Sequence, residues 1–364
     1  MQRAGFRRRR RLDLSLTRRP FGRLADGREV DEFTLDNGRG LELSLIPLGG
    51  IVTALRCPDR AGRSANVVLG LPSLDDYLQG NPAHLGTLVG RFANRIARGR
   101  FVLDGRTHEL VRNEGPNTLH GGPIGFGRRW WQVAPLPAAD DVALELSLVS
   151  EDGDQGFPGR LELSVRYTLT PRNEWRIDYR ARTDRPTVLN LTHHAYWNLA
   201  GGGSVLGHRL RLPASRFLAV DATLIPERIA EVEGTPFDFR QPTPVGERIR
   251  AADVQLQRAR GYDHHWLLDI ADGRLAPAAR LEDPDSGRVL EIETTEPGIQ
   301  FYSGNFLDGS QLGRNGQALR QGDGLCLETQ HAPDSPNHGS WPSTVLCPGE
   351  LFRSCTVYRF DTDG

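Results

Sequence analysis

The chain has 364 residues, a formal net charge of −1 at pH 7, 38% apolar and 25% charged residues, a composition typical of a soluble globular protein. This balance provides no general attraction to nucleic acid or to an anionic membrane surface, so the sequence predicts neither as a partner. The 45 residues of the lysine and arginine class are all arginine, which excludes a lysine Schiff base and a phosphate-loop lysine.

An arginine-rich run at residues 7–11 lies near the start of the chain. Residues 17–21 faintly resemble a twin-arginine export signal, but charged residues follow them where such a signal needs an apolar stretch. We therefore predict that residues 1–16 form a disordered extension and that residues 17–364 form a single domain.

The cysteine content and the apolar runs bear on the compartment. Four cysteines are sparse for this length and form no C-x-x-C pair, which argues against a disulfide framework or a cysteine zinc site. No apolar run reaches the roughly 18 residues that a membrane-spanning helix requires. The sequence predicts reduced thiols, a cytoplasmic location and no membrane association, and it gives no indication of the oligomeric state.

Most apolar segments are short and alternate with polar residues, as at residues 41–45, 142–148, 161–167 and 289–292. A period of two is typical of strands with one buried face. Helical patterns are few, at residues 73–78 and 244–251, and no strand–helix alternation repeats, which argues against a doubly wound dinucleotide fold. The sequence predicts an all-β fold, a large antiparallel β-sandwich with few short helices.

Two polar segments, at residues 90–96 and 113–122, have the composition of loops. They contain Asn94, Arg95 and His120, whose side chains offer hydrogen bonds in several fixed directions. Such groups suit a ligand covered in hydroxyl groups. Exposed salt bridges are an equally good interpretation of Arg91 and Arg95.

Residues 190–201 form the segment richest in polar and aromatic side chains, N-L-T-H-H-A-Y-W-N-L-A-G. In a strand, His194 and Tyr196 share one face, whereas His193 and Trp197 share the opposite, largely apolar face. The alternative interpretation is a core strand with a hydrogen-bonded histidine.

Three later segments each place one polar side chain among apolar or aromatic neighbours. Asp263 lies in G-Y-D-H-H-W-L-L, Gln300 in P-G-I-Q-F-Y-S-G-N-F and Glu328 in G-L-C-L-E-T-Q-H. A carboxylate inside an apolar strand is seldom buried without a partner, and aromatic rings provide stacking faces for sugars. A structural salt bridge or core packing would explain each segment as well as a binding function does.

The histidine doublets at positions 193/194 and 264/265 raise the possibility of a metal site. Adjacent strand residues point to opposite faces and do not chelate one ion together. Neither an H-x-H nor an H-E-x-x-H spacing is present, so the sequence predicts no metal.

Taken together, these segments resemble the aldose 1-epimerase (galactose mutarotase) family over about residues 21–360. The most specific matches, in the order of the family, are G-R-F-A-N-R-I, N-T-L-H-G-G, N-L-T-H-H-A-Y-W-N-L-A-G, P-G-I-Q-F-Y-S-G-N-F and L-E-T-Q-H-A-P-D-S-P-N-H. The resemblance implies the large galactose mutarotase-like supersandwich, a sugar bound in an open cleft, and no metal or organic cofactor.

The resemblance also implies roles for individual residues. The family's catalytic histidine lies in an N-L-T-x-H-x-Y context that matches His194, and its catalytic glutamate matches Glu328. The implied sugar-binding positions are Asn94, Arg95, His120, Tyr196, Asp263 and Gln300. The residue before the catalytic histidine is commonly Asn in the family and is His193 here; its side chain should point away from the sugar.

The implied reaction interconverts the α and β anomers of a free aldohexose such as galactose or glucose, with Glu328 as general base and His194 as general acid. A hexose 6-phosphate mutarotase is an alternative that would need a basic cluster at the rim of the cleft. A non-catalytic carbohydrate-binding protein is another, and so is a glycoside hydrolase or lyase that uses Asp263 and Glu328 as a carboxylate pair. The sequence does not distinguish galactose, glucose and a pentose as substrates.

Overall fold

The computed structural model describes residues 14–137 and 140–363, which form many strands and a few short helices. The strands are β1 (Ser15–Arg23), β2 (Glu29–Asp36), β3 (Glu42–Leu45), β4 (Val52–Pro58), β5 (Ser64–Asn66), β6 (Leu88–Val89), β7 (Arg95–Ile96), β8 (Arg100–Leu103), β9 (Arg106–Glu109), β10 (Thr118–Leu119), β11 (Gln132–Leu136), β12 (Val142–Ser150), β13 (Leu161–Thr170), β14 (Glu174–Thr183), β15 (Thr187–Val188), β16 (Thr192–His193), β17 (Tyr196–Trp197), β18 (Arg209–Arg211), β19 (Arg216–Val220), β20 (Pro226–Glu231), β21 (Thr243–Pro244), β22 (Asp263–Leu267), β23 (Ala276–Glu282), β24 (Arg288–Thr294), β25 (Gly298–Tyr302), β26 (Asp308–Leu312), β27 (Ala318–Arg320), β28 (Leu325–Gln330), β29 (Val345–Leu346) and β30 (Phe352–Thr362). The α-helices are α1 (Leu74–Gln79), α2 (Val245–Arg248) and α3 (Val254–Ala259), and single 3₁₀ turns lie at Ala97–Gly99, Phe126–Arg128, Asp154–Gly156, Val205–Gly207 and Ser335–Asn337.

Two large antiparallel sheets dominate the fold. The larger has nine strands in the order β11-β12-β13-β14-β30-β24-β23-β18-β21, and the second has six in the order β17-β28-β25-β22-β19-β20. Strands β1 to β5 form a third sheet in sequence order. The predicted all-β sandwich is confirmed, because residues 42–45 of the first alternating segment form β3 and the segments at residues 142–148, 161–167 and 289–292 lie in β12, β13 and β24.

One continuous apolar core lies between the two large sheets. Trp175 and Tyr358 of the nine-stranded sheet and Trp266, Phe301 and Leu327 of the six-stranded sheet all belong to it, and each is almost fully buried. Because strand side chains alternate, the second face of β22, β25 and β28 points away from this core. That second face carries the polar residues of the site described below.

The helices agree only in part with the sequence prediction. Helix α1 begins after Ser73, whose side chain and that of Asp76 cap each other's backbone in a capping box, and α2 lies inside the predicted segment at residues 244–251. Helix α3 was not predicted. Its six residues are too few to show a helical period, and Asp253 starts it by accepting a hydrogen bond from Gln255 N at 2.7 Å.

The first strand overlaps the end of the predicted N-terminal extension, residues 1–16. Strand β1 begins at Ser15 and pairs with β2, where Ser15 lies opposite Asp36 and Leu16 opposite Leu35. Leu16 is partly buried against the core, which favours strand structure from this part of the chain onward. The rest of the predicted extension, residues 1–13, lies outside the described residues. Within the described part, no helix is both long enough and apolar enough to cross a bilayer.

Candidate active site

The register of the six-stranded sheet assembles the polar residues of the candidate site. Tyr196 lies opposite Cys326, Cys326 opposite Tyr302 and Tyr302 opposite Asp263. In the next row, Glu328 lies opposite Gln300. Residues that face each other across neighbouring strands have side chains on the same face of the sheet.

His194 reaches this face from the segment that precedes β17. Continuing the antiparallel pairing of Tyr196 with Cys326 by two residues brings His194 opposite Glu328. The structure accordingly separates Nε2 of His194 from Oε1 of Glu328 by 3.8 Å, with both side chains buried. The predicted alternation of residues 193–197 is confirmed as well, because His193 packs edge-on against Trp175 on the core side.

Burial opposes charge on both members of this pair. It raises the pKa of the Glu328 carboxyl well above its usual range, to which the nearby Asp263 carboxylate adds, while Arg95 acts in the opposite direction. It lowers the pKa of His194 well below its usual value, and His84 adds to that effect. A His194 imidazolium and a Glu328 carboxylate 3.8 Å apart stabilise each other's charge. This attraction raises the pKa of His194 and lowers that of Glu328, opposite to the effect of burial on each. Oε2 of Glu328 is buried and has no hydrogen-bond partner within the described residues.

A hydrogen bond from the backbone of Asn94 holds the neutral His120 ring in one tautomer. Its Nδ1 accepts a hydrogen bond from the backbone N–H of Asn94 at 3.1 Å. A neutral imidazole that accepts at Nδ1 carries its proton at Nε2. Burial, together with His84, His194 and Arg95, holds the pKa of His120 well below its usual value, so this ring is a neutral N–H donor at physiological pH.

Arg95 and Asp263 form a second, charged part of the site. Arg95 binds Glu114 through two hydrogen bonds of 2.6 Å each, and its Nη1 lies 3.9 Å from Oδ2 of Asp263. Gln300 donates to Oδ1 of Asp263 at 2.7 Å. Burial raises the pKa of Asp263, whereas Arg95 and the Gln300 hydrogen bond lower it. The contacts from Arg95 and Gln300 together hold the Asp263 carboxylate in one orientation.

These residues surround an open cavity of about 330 Å³, a size within the usual range of small-molecule sites. The polar residues that line it are His84, Asn94, Arg95, Glu114, His120, His194, Asp263, Asp308, Ser310, Gln311 and Glu328, and the aromatic ones are Tyr196, Tyr302 and Phe306. Phe306 is half exposed and lies nearly parallel to Tyr302. A hydroxylated ring with apolar faces matches this combination of hydrogen-bonding groups and aromatic surfaces.

The site also brings together three side chains of metal-ligating type. One ligand atom from each of His120, His194 and Glu328 lies within 4.8 Å of the others, and only one of these histidines belongs to a doublet. His120 does not suit a metal ion, because its Nδ1 accepts the Asn94 N–H and its Nε2 therefore carries a proton. The donor set instead favours hydrogen bonding to a neutral ligand.

Comparison with known proteins shows the family to which this chain belongs. A family model described as aldose 1-epimerase matches residues 31–359. The chain belongs to the aldose 1-epimerase family. A galactose mutarotase from Sus scrofa is 42% identical over 95% of this chain and 99% of its own length, and an aldose 1-epimerase from Escherichia coli is 40% identical over 92% and 96%. The crystal structure of a galactose 1-epimerase from Lactobacillus acidophilus superposes with a TM-score of 0.86 at 29% identity, covering 97% of this chain and 100% of that one.

Within this aldose 1-epimerase fold, most of the residues proposed from the sequence lie together. His194, Glu328, Asn94, Arg95, His120, Tyr196 and Asp263 all line the cavity. Gln300 lies behind Asp263, and its contact is with that carboxylate. The hydroxyl of Tyr196 donates to the carbonyl of Ala83, so Tyr196 presents its ring to the cavity. Their roles toward a sugar stay predictions.

His84 and Glu114 are among the cavity residues of this family member that the sequence analysis missed, together with Asp308, Ser310 and Gln311. His84 lies two residues after Pro82 in the loop between α1 and β6, and Glu114 lies in the polar segment at residues 113–122. Neither belongs to a periodic pattern, so only the three-dimensional fold reveals them. Arg91, in contrast, is buried and donates to the carbonyls of Pro158 and Gly159 at 2.8 Å, which makes it a structural residue.

Proposed function

We propose that this protein interconverts the α and β anomers of free aldoses, galactose and glucose among them, with Glu328 as general base and His194 as general acid. The assignment of the base and acid roles to Glu328 and His194 is supported by one observation. The two groups that exchange protons in such a reaction lie 3.8 Å apart at the edge of a cavity whose other polar groups offer hydrogen bonds to hydroxyls.

The reaction requires two proton transfers at the anomeric centre. Glu328 takes the proton of the O1 hydroxyl while His194 gives a proton to the ring oxygen O5, so that the C1–O5 bond breaks and a C1=O1 double bond forms. Rotation about C1–C2 exposes the other face of the aldehyde. The O5 hydroxyl then attacks that face and returns its proton to His194, while O1 recovers a proton from Glu328, and the opposite anomer results.

The reactive form has a Glu328 carboxylate and a His194 imidazolium. It contains the same number of protons as the uncharged pair, so the two forms interconvert by moving one proton between neighbours. Burial favours the uncharged form and the 3.8 Å separation favours the charged one. Arg95 helps further, since it lowers the pKa of Glu328.

The remaining cavity residues hold the sugar in position. Asp263 accepts hydrogen bonds from hydroxyls, and Asn94, Arg95 and His120 donate them. His120 is suited to donate at any pH near neutrality, because its proton is held at Nε2 by the Asn94 contact. Donors fixed in this way stabilise negative charge that develops on oxygen without reorganising.

The charge of the cavity favours a neutral sugar over a hexose 6-phosphate. Four carboxyl-bearing residues line it, Glu114, Asp263, Asp308 and Glu328, against a single arginine, Arg95. That arginine is already bound by both oxygens of Glu114. No basic cluster of the kind that a phosphate requires is present among the described residues that line the cavity.

Polarimetry tests the proposal directly. Purified protein is expected to accelerate the change in optical rotation of freshly dissolved α-D-galactose and α-D-glucose above the spontaneous rate. Methyl α-D-galactopyranoside is the matched control; its rotation should stay constant, because its O1 has no proton to give. A change with the methyl glycoside would indicate a hydrolase. Binding of galactose with no acceleration would indicate a non-catalytic sugar-binding protein and overturn the proposal.

A further inference from the structure

His84 is a cavity residue to which the proposed mechanism assigns no task. It lines the same cavity as His194 and Glu328. Its ring stands edge-on to that of His120, with 4.7 Å between ring centroids, and 5.8 Å from the ring of His194. Neither nitrogen of the His84 ring has a hydrogen-bond partner within the described residues, so both are available to a ligand in the cavity.

The backbone around His84 is built to hold the ring in this place. His84 has a φ of 55°, a left-handed conformation that residues other than glycine adopt infrequently. Neighbouring contacts impose it: the side chain of Asn81 binds both the N–H and the carbonyl of Leu85, at 2.9 and 3.0 Å. The hydroxyl of Thr87 donates to the carbonyl of His84. A conformation held at this cost beside an active site is a reason to look for a function.

The loop is also tied to the sheet that carries the acid–base pair. The hydroxyl of Tyr196 donates to the carbonyl of Ala83 at 2.9 Å, and the backbone N–H of Gly86 donates to the carbonyl of His194 at 3.0 Å. His84 is thus fixed relative to His194 from both sides. A residue whose backbone is already ordered loses less entropy when it binds a ligand.

The chemistry of the ring matches a neutral hydroxyl. Burial lowers the pKa of His84 to about 4, and Arg128 acts in the same direction. The imidazole is therefore uncharged at neutral pH, with one N–H donor and one nitrogen lone pair. A sugar hydroxyl is the complementary group, because it both donates and accepts.

We propose that His84 is a further sugar-binding residue, which forms a hydrogen bond to one hydroxyl of the aldose and contributes to the choice of substrate. This inference rests on the proposed function, since it assumes that a sugar occupies the cavity. His84 takes no part in the proton transfers; it acts on binding.

The test compares His84→Asn with a matched control, His108→Asn. Asparagine tolerates the left-handed backbone, so the loop is retained while the imidazole is lost. His108 also stacks on an aromatic ring, that of Phe101, but lies outside the cavity. For galactose we expect a KM about tenfold higher in His84→Asn, as befits the loss of one hydrogen bond, a kcat within about twofold of the wild type, and no change in His108→Asn.

A series of monodeoxy galactoses identifies the hydroxyl. The deoxy sugar that lacks the hydroxyl bound by His84 should have the same KM with His84→Asn as with the wild type, because this sugar cannot form that hydrogen bond with either protein. An unchanged KM for galactose, or an equal loss for every sugar in the series, would overturn the inference. Calorimetric titration measures the dissociation constant of each sugar and so gives the same comparison without turnover. The outcome for His84 is therefore separate from the proposed catalytic activity, which polarimetry of the wild type tests.

Discussion

Cys326 and His194 are in contact beneath the cavity: Sγ of Cys326 lies 3.5 Å from Nδ1 of His194. Burial holds the pKa of this thiol well above its usual range, and Glu328 adds to that effect, so the sulfur keeps its proton. A thiol that donates to Nδ1 leaves the Nε2 proton of a neutral His194 directed at Glu328, and the same sulfur accepts from Nδ1–H once the ring is protonated. This contact orients the ring in both of the states that the proposed reaction requires.

Glu114→Gln should weaken sugar binding through Arg95. The substitution replaces a bidentate ion pair with a neutral amide, so Arg95 loses the contact that directs its Nη1 toward Asp263. We expect KM for galactose to rise on the order of tenfold with a smaller change in kcat. The measurement is steady-state polarimetry. Glu109→Gln is the control, because Glu109 pairs with Arg112 at the surface; equal effects in the two variants would contradict the assigned role of Glu114.

Discrimination against charged sugars follows from the carboxylates of the cavity. We expect kcat/KM for glucose 6-phosphate to lie about tenfold or more below that for glucose, since a phosphate near these groups meets like charge. Added salt should narrow the gap, because screening weakens repulsion at the open rim. Asp308→Asn removes one negative charge from the rim of the cavity and should also reduce the difference in kcat/KM between the two sugars. Equal rates for both sugars, independent of salt, would be incompatible with this account.

The buried histidines predict how stability changes with pH. Burial lowers the pKa of His193, His264 and His265 to about 3 from the ordinary value of 6.5. Between those values the unfolded chain binds protons that the folded protein does not. The free energy of unfolding therefore falls as the pH drops from 6.5 toward 3, by about 1.4 kcal/mol per pH unit for each such histidine.

His193→Asn removes one of these titrating groups from the core. Urea unfolding at pH 7 and at pH 5 should show a smaller loss of stability in the variant than in the wild type, by about 2 kcal/mol over that interval at most. The comparison uses the change with pH and not the stability itself, so an altered packing energy at position 193 does not affect it. The same pH dependence in both proteins would refute the prediction.

The sequence predicts those parts of the fold that depend on local patterns. Alternation identified the strands around Leu163 and Leu290 and assigned His193 and His194 to opposite faces. Glu328 was conspicuous because a carboxylate interrupts an apolar strand. Helix α3 escaped detection, since six residues show no clear period. The contact of Leu16 in β1 with the core also has no signal in the local sequence pattern.

The assembly of the site could not be predicted from local patterns. The neighbourhood of His194, Glu328 and Asp263 results from the register of β17, β28, β25 and β22, which depends on pairings between distant segments. Their grouping was foreseen only through the family resemblance. His84 and Glu114 lie in short loops whose positions are set by contacts with other loops and strands, and so no sequence period marks them.

The most direct test of the acid–base pair is the rate of mutarotation of α-D-galactose, followed by polarimetry, for Glu328→Gln, His194→Gln and the double variant. Each single variant should lose a factor of roughly 10² to 10⁴ in kcat, the usual contribution of a general acid or base, and the double variant should lose little more, because the two residues act as one unit. Glu174→Gln is the control, a buried carboxylate on the nine-stranded sheet, and should keep wild-type activity. Circular dichroism should show all four variants folded. A folded Glu328→Gln or His194→Gln protein within about twofold of the wild-type rate would contradict the proposed mechanism.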